Sequence, residues 1–374
     1  MRTSCTSSFV CLIIAPLIVH GELKGDGYHV SPGEEIQAAI DAAGTNKTIK
    51  KVIVHAGTYR PNSKRLALIW LNRRHDGVQL VADGDVTLTP QNPEVAGPGA
   101  TNMAVVNHVI YIGHQVGTNT LIRGFRITGA NAFCLKTPSR RLEPDDTVPK
   151  NLFFFTDGGG IKIFGQSAPI LENLTIEDNW TSPCGAGISV QQQDLNRTPA
   201  VIRNCIFRNN RAQVTGAALD LLAGSSAIVE NCLFVENASN LGHDVVAEIS
   251  KEKPFTNSGV ITVFQRSSLI MKHSTLTRNR NAVDDLGGLS ILSHCIVYGN
   301  SLDAGLPGTR YELELSAGSR VENCQIDGLV RHLAIHRMTE ETLRSDAPDF
   351  DENWAPRNSS YAGIGYRALK ARPP

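Results

Sequence analysis

Net charge is the first thing missing from this chain, with 36 Lys and Arg matched by 36 Asp and Glu. A balanced chain has no overall field to draw nucleic acid or an anionic membrane, so neither is expected as a partner. Any attraction for an acidic polymer must come from a local patch. Long apolar runs are missing after the first twenty residues, and a bilayer span needs about 20 of them in a row. Cysteine is scarce. Of eight, Cys5 and Cys11 fall in the leader described below, which leaves Cys134, Cys184, Cys205, Cys232, Cys295 and Cys324. That is too few to staple a chain of 374 residues into a disulfide scaffold. None sits where a lipoprotein cleavage signal would place it, so no lipid anchor is expected.

The leader has a positive start at Arg2, an apolar run from Phe9 to Val19, and small or permissive residues at Val19 and Gly21. The run is too short for a membrane helix and reads as a signal peptide over residues 1–21, cleaved near Gly21. The mature chain is then expected in the medium, the periplasm or at the cell surface.

One phrase recurs along the rest: two apolar or polar residues, Asn or His, a small residue or Cys, then alternating apolar residues, with another Asn a few places on. It reads Ile170-Leu171-Glu172-Asn173-Leu174-Thr175-Ile176, Val201-Ile202-Arg203-Asn204-Cys205-Ile206-Phe207 and Ile228-Val229-Glu230-Asn231-Cys232-Leu233-Phe234. Weaker copies centre on Gly124, His273, His294 and Asn323. The centres stand from 21 residues apart (His273 to His294) to 49 apart (Gly124 to Asn173), which rules out a propeller blade or a leucine-rich unit. Fixed strands joined by turns of variable length suit a parallel coil instead.

The physics of the phrase is local. Alternation makes short strands with one buried face. Asn tolerates the left-handed backbone that a sharp bend requires, and stacked Asn side chains can hydrogen-bond from coil to coil. Leu174, Cys205, Cys232, Ser274, Cys295 and Cys324 are predicted to form one inward stack, and Ile176, Phe207, Phe234, Leu276, Val297 and Ile326 the next. The cysteines are thus expected as small buried hydrophobes, since directly stacked pairs such as Cys205 and Cys232 or Cys295 and Cys324 hold their Cβ atoms further apart than a disulfide prefers.

A second phrase precedes the first: Gly159-Gly160-Ile161-Lys162-Ile163, Ala186-Gly187-Ile188-Ser189-Val190, Ala217-Ala218-Leu219-Asp220-Leu221 and Ser258-Gly259-Val260-Ile261-Thr262-Val263. Small residues make a tight turn and alternation makes another strand. Two or three strands per coil, roughly ten coils, is the expected all-β solenoid. Ile36 to Ala43 has helical spacing and should cap the N-terminal edge, stopping at Gly44. The solenoid is read over residues 22–345, with insertions at 133–156 and 240–257, and residues 346–374 as an irregular wrapping or covering tail.

The opening Ile36-Gln37-Ala38-Ala39-Ile40-Asp41-Ala42-Ala43 and the following Val52-Ile53-Val54-His55-Ala56-Gly57-Thr58-Tyr59 resemble the N-terminal region of the pectate-lyase-like, right-handed parallel β-helix superfamily, and the Asn-Cys phrases resemble its generic repeats. The resemblance implies the right-handed β-helix. It implies no single activity, since that superfamily holds lyases, hydrolases, epimerases and adhesins. It also implies that a polysaccharide or cell-wall glycan would lie along the outside of one parallel sheet.

Alternation gives the outward row of the strand after the small-residue turn: Trp70, Tyr111, Lys162, Ser189, Asp220, Thr262 and Glu314, with Phe164, Gln191, Leu222 and Phe264 in a second row. Aromatic faces beside amides, a cation and carboxylates are what sugar rings need. Lys162, Tyr111 and Asp220 are the candidate catalytic residues; Trp70, His108, Ser189, Gln191, Thr262 and Phe264 are the candidate substrate-binding residues. A lyase or epimerase needs a cation for the uronate carboxylate and a base for the C5 proton. Lys162, Tyr111 and His108 could supply these.

Polygalacturonase-type order is absent, because Gly242-His243-Asp244 precedes Asp284-Asp285 and follows Ile161-Lys162-Ile163. No acidic cluster calls for a metal. Calcium is the one cofactor to consider, and Asp157 before Gly158-Gly159-Gly160 reads as a turn residue rather than its ligand; His243 reads as a loop surface residue. A lyase or epimerase on a uronic-acid polymer and a non-catalytic adhesive or structural solenoid both remain open, the chain being a monomer in either case.

Overall fold

The computed structural model describes residues 21–96, 104–130, 157–181, 184–192, 198–241, 259–300, 311–328, 330–331 and 346–369. The leader, Cys134, His243, the 133–156 insertion and most of 240–257 lie outside them.

Parallel strands stacked coil on coil make up nearly all of the rest. One sheet runs through nine of them: Arg65–Leu71, Val106–Ile112, Ile161–Phe164, Ile188–Gln191, Leu219–Leu221, Ile261–Phe264, Val283–Leu286, Leu313–Glu314 and Val330–Arg331. Two further faces meet at the predicted bend, for example Ala200–Arg203 turning into Ile206–Arg208. Asn173, Asn204, Asn231, His273, His294 and Asn323 all hold φ between 47° and 56° there. Residues with a short polar or ring side chain accept that conformation at low cost, which is why the phrase places them at the corner.

Both predicted stacks are inside. Ile176, Phe207, Phe234, Leu276, Val297 and Ile326 pair in register through successive coils, and all are buried. The Phe207 and Phe234 rings stack with centroids 4.6 Å apart. Every cysteine of the described residues is free and buried. These thiols also do more than fill space. The Cys205 N–H donates to Cys232 Sγ at 3.4 Å and the Cys295 N–H to Cys324 Sγ at 3.3 Å, while Ser274 Oγ takes the Cys232 N–H at 3.1 Å. Ser stands in for Cys at one level of this stack because each offers a small acceptor to the main chain of the preceding coil.

The asparagine ladder runs through a different residue than the bend itself. A single side-chain bond, Asn231 Nδ2 to Asn204 Oδ1 at 2.8 Å, joins bend asparagines. The continuous ladder is Asn179, Asn210, Asn237, Asn279 and Asn300, each wholly buried and each donating Nδ2 to the Oδ1 of the next at 2.7–3.1 Å. It ends on Glu312, whose carboxylate accepts from Asn300. These are the asparagines that follow a few places after each bend, just beyond a second left-handed residue such as Asp178 or Asn209.

The helix Ile36–Thr45 covers the N-terminal edge, as expected, with Ile36, Ala39, Ile40 and Ala43 buried. It runs past Gly44 to Thr45. Gly44 is needed for a close approach, since a Cβ there would stand 2.8 Å from the His75 ring and 3.0 Å from Arg74 O. Gln37 also closes the edge of the nine-stranded sheet: its amide takes the Trp70 N–H at 2.9 Å and gives a hydrogen bond to Trp70 O at 3.0 Å, so the first strand's free main chain is paired.

Residues 346–369 form a strap along the outside of one face. Tyr366 packs on Leu233 and Val235, and Tyr361 and Ile364 pack on Ile296. Main-chain bonds pin the strap, from Tyr366 N to Thr275 Oγ1 and from Arg367 N to Asn231 Oδ1. It covers apolar side chains that point away from the core, so here the tail wraps the flank of the coil.

Candidate functional site

The strand after each small-residue turn aligns the row residue for residue. Trp70 pairs with Tyr111, Tyr111 with Lys162, Lys162 with Ser189, Ser189 with Asp220 and Asp220 with Thr262. Thr262 then pairs with Asp284, and Asp284 with Glu314. Asp284, absent from the row read off the sequence, is therefore a strand member between Thr262 and Glu314. Gln191 lies beside Phe164 in the second row, and Phe264 beside Leu286. Gln191, Phe264, Leu222 and Trp70 are half-buried and Phe164 is buried.

The row was expected to face an open groove, and this needs correcting. Lys162, Ser189, Asp220, Thr262 and Asp284 are wholly buried, and so are Tyr111 and His108. They do point away from the apolar core, but the chain folds back over them. Asp157-Gly158, Cys184-Gly185 and Thr215-Gly216 each stand five residues before a row member, and their glycines have φ of 77°, 64° and 57°. This left-handed turn lays the preceding residue on the row. A Cβ on Gly216 would be 2.5 Å from Asp220 Oδ1, and one on Gly185 would be 2.7 Å from Ser189 Cβ. Main-chain bonds from Gly158 N to Cys184 O and from Gly185 N to Thr215 O tie the turns into a second layer. Gly216→Ala should therefore lower stability by about 2–3 kcal/mol, through strain at positive φ and a clash with Asp220. Equilibrium denaturation checks this, and an unchanged midpoint would mean that the turn does not press on the row.

Two layers of polar side chains meet in this sealed space. Lys162 Nζ lies 3.2 Å from Ser189 Oγ and 3.9 Å from Asp157 Oδ2. Thr215 Oγ1 reaches Asp220 Oδ1 at 3.1 Å and Cys184 Sγ at 3.2 Å. The Gly259 N–H donates to Asp284 Oδ2 at 2.7 Å. His108 Nδ1 meets Gly158 O at 2.9 Å, and its ring lies 6.2 Å from that of Tyr111.

Burial dominates the proton affinities. It pushes the Asp157 carboxyl up to about 7, against the pull of the Lys162 ammonium. It lowers the Lys162 amine, against Asp157 and Asp220. It raises Asp220 well above the usual carboxylate range, with the Asp157 charge adding to the effect. The Cys184 thiol is raised too, first by burial. Desolvation drives all four toward their neutral forms.

Of the candidate residues, the sheet brings together Tyr111, His108, Lys162, Ser189, Asp220 and Thr262. Trp70 is at the far edge, where Arg74 lies 6.0 Å over its ring. Asp157 is a turn residue, as expected, but its carboxyl also faces Lys162. Asp157, Cys184 and Thr215 were legible only as the residue before a turn glycine. Calcium requires several converging oxygen ligands. Among the described residues no three His, Cys, Asp or Glu side chains are placed to hold a metal ion, and the cation facing Asp157 and Asp220 is the Lys162 ammonium, so the residues here do not fit a calcium site. No helix among them is long and apolar enough to cross a membrane.

Stacked parallel coils with bends at Asn and a buried side-chain ladder define a right-handed parallel β-helix protein, the fold that the resemblance implied. Residues 75–248 match the family model of the right handed beta helix region, and no specific enzyme family is matched. Nothing among curated proteins matches the chain, and nothing among solved structures does.

Proposed function

We propose that this chain is an extracellular, monomeric, non-catalytic solenoid that binds a cell-surface or cell-wall polysaccharide. The observation that carries this reading is the complete burial of the middle of the row, Lys162, Ser189, Asp220, Thr262 and Asp284. A lyase or epimerase must bring its base to the C5–H of a sugar ring, and Lys162 and Asp220 lie beneath a layer of turns held by main-chain hydrogen bonds, with Tyr111 buried beside them. In this reading the row is an internal polar seam that holds coils in register, and glycan contact falls to other outward surfaces.

One observation favours a second reading, a lyase or epimerase on a uronic-acid polymer. A lysine with lowered proton affinity beside carboxyls whose affinity is raised is the pairing that proton removal and return require. Incubating the mature chain with uronic-acid polymers separates the two readings. Affinity electrophoresis follows binding, absorbance follows unsaturated product, and NMR follows C5 inversion. Binding without product is expected. Turnover that disappears in Lys162→Met while binding persists would transfer the conclusion to the lyase or epimerase reading.

A further inference from the structure

Just beyond the ladder, the chain makes a two-stranded parallel ribbon of Trp180–Thr181 and Arg211–Ala212, in which Trp180 pairs with Arg211. Thr181 and Ala212 are wholly buried, so alternation turns Trp180 and Arg211 outward side by side. Trp180 is 44% exposed. Large aromatics on a well-packed secreted surface are ordinarily tucked in, as Trp70 is here. Asp178, Asn179, Trp180, Asn209, Arg211 and Leu241 line an open cleft of about 430 Å³.

We propose that this cleft binds a pyranose ring bearing a carboxylate, stacking it on the Trp180 indole and engaging the carboxylate with Arg211. The inference rests on the glycan-binding reading above and names where and what the solenoid binds. An indole face exposed to water offers the flat apolar surface on which the C–H face of a sugar ring packs. Arg211 sets Nη2 on Asn209 Oδ1 at 2.8 Å and makes no ion pair among the described residues, so the rest of its guanidinium fork is available for a carboxylate.

Asn209 is itself held, giving Nδ2 to Asp178 Oδ1 at 2.6 Å. The second oxygen of Asp178 is left to accept from a ring hydroxyl. Along this edge Arg126, Arg208 and Arg211 stand against the carboxylates of Glu177 and Asp178, with Arg126 and Arg208 both bonding Glu177, so one positive charge is in excess. This is the local patch that a chain of zero net charge needs in order to draw an acidic polymer.

The cleft is also rigid. The Arg211 N–H bonds Asn179 O at 2.8 Å, and Asn179 is the first rung of the buried ladder. Asp178 and Asn209 are fixed at the rim by left-handed backbone, with φ of 54° and 51°. A ligand would meet a site that is already ordered, which limits the entropy lost on binding.

Titration calorimetry of the full mature chain with a uronic-acid oligosaccharide, and with the same oligosaccharide after its carboxyls are reduced to alcohols, tests the assignment. The wild type should bind the acidic form more tightly. Trp180→Ala should weaken both by more than about tenfold, and Trp180→Phe should retain most of the affinity. Arg211→Gln should bring the acidic form down to the affinity of the reduced one. All these side chains lie at the surface, and matching thermal midpoints confirm that each variant is folded.

If Trp180→Ala binds as tightly as wild type, the site is elsewhere, and the cleft is rejected while glycan binding stands. If the wild type does not distinguish the two oligosaccharides, the carboxylate assignment fails. If neither binds the wild type, the glycan-binding reading itself fails.

Discussion

Asn237→Ala is expected to lower the unfolding free energy by about 3–5 kcal/mol, the sum of several buried groups each costing about 1–3 when orphaned. Asn237 sits at the middle of the ladder with no exposure. Its Nδ2 donates to Phe207 O and to Asn279 Oδ1, both at 3.0 Å. Its Oδ1 accepts from Asn210 N and from Asn210 Nδ2, both at 2.9 Å. Truncation orphans the Asn210 N–H and removes one bond each from Phe207 O, Asn210 Nδ2 and Asn279 Oδ1, of which the last two keep Ile176 O and the Asn237 N–H, in a place water does not reach.

The control is Asn231→Ala, at the bend six residues earlier. Asn231 is less buried; its loss adds the strain of Ala at positive φ, about 1–2 kcal/mol, and frees partly exposed hydrogen bonds to Asn204 and Arg367 that water can replace. Equilibrium denaturation of the two variants ranks them. Should Asn231→Ala cost as much as Asn237→Ala, the ladder would not be the main hydrogen-bonded spine of the coil.

Lys162→Ala is expected to be comparably damaging, on the order of 3–5 kcal/mol, because it removes the one ammonium facing two buried carboxyls and opens a void. Lys162→Met keeps the volume, and since Asp157 and Asp220 already favour their neutral forms it should cost less. Asp157 further predicts a pH dependence. Its carboxyl titrates at about 7 in the folded chain, above the usual carboxylate range, so the folded state holds a proton that the unfolded state releases. The resulting stability is fully present below about pH 4 and is lost as pH rises through about 7.

Asp157→Asn has no such proton to lose. Its stability relative to wild type should therefore rise between pH 4 and pH 7. Lys162, whose proton affinity burial lowers, acts with the opposite sign: its contribution grows as pH rises toward the ordinary lysine value. Thermal unfolding of wild type and Asp157→Asn across pH 4–8 reads the first effect. Parallel profiles would mean that Asp157 is not buried with its proton.

Much of the coil was legible before any coordinates. Asn173, Asn204 and Asn231 were readable as corners because tolerance of the left-handed backbone belongs to the residue itself. Phe207 over Phe234 was readable because strand alternation sets inside from outside, and Lys162, Ser189, Asp220 and Thr262 fell into register by the same count. The ladder was read one bend too early. Asn204 and Asn210 are alike in type, and only the path of the chain decides which of them enters the dry interior. Asp284 was missed because its strand, Val283-Asp284-Asp285-Leu286, puts two acids side by side and so breaks the apolar alternation by which the other strands were read.

Sequence alone therefore determined the coil, its inward stacks and its row, since these depend on alternation and on the backbone preference of single residues. Only the tertiary structure decided that the row is sealed, that Asp157 and Cys184 lie over Lys162, and that Trp180 stands in the open. Exposure is set by what another part of the chain folds across a surface, and a strand's own residues carry no record of that.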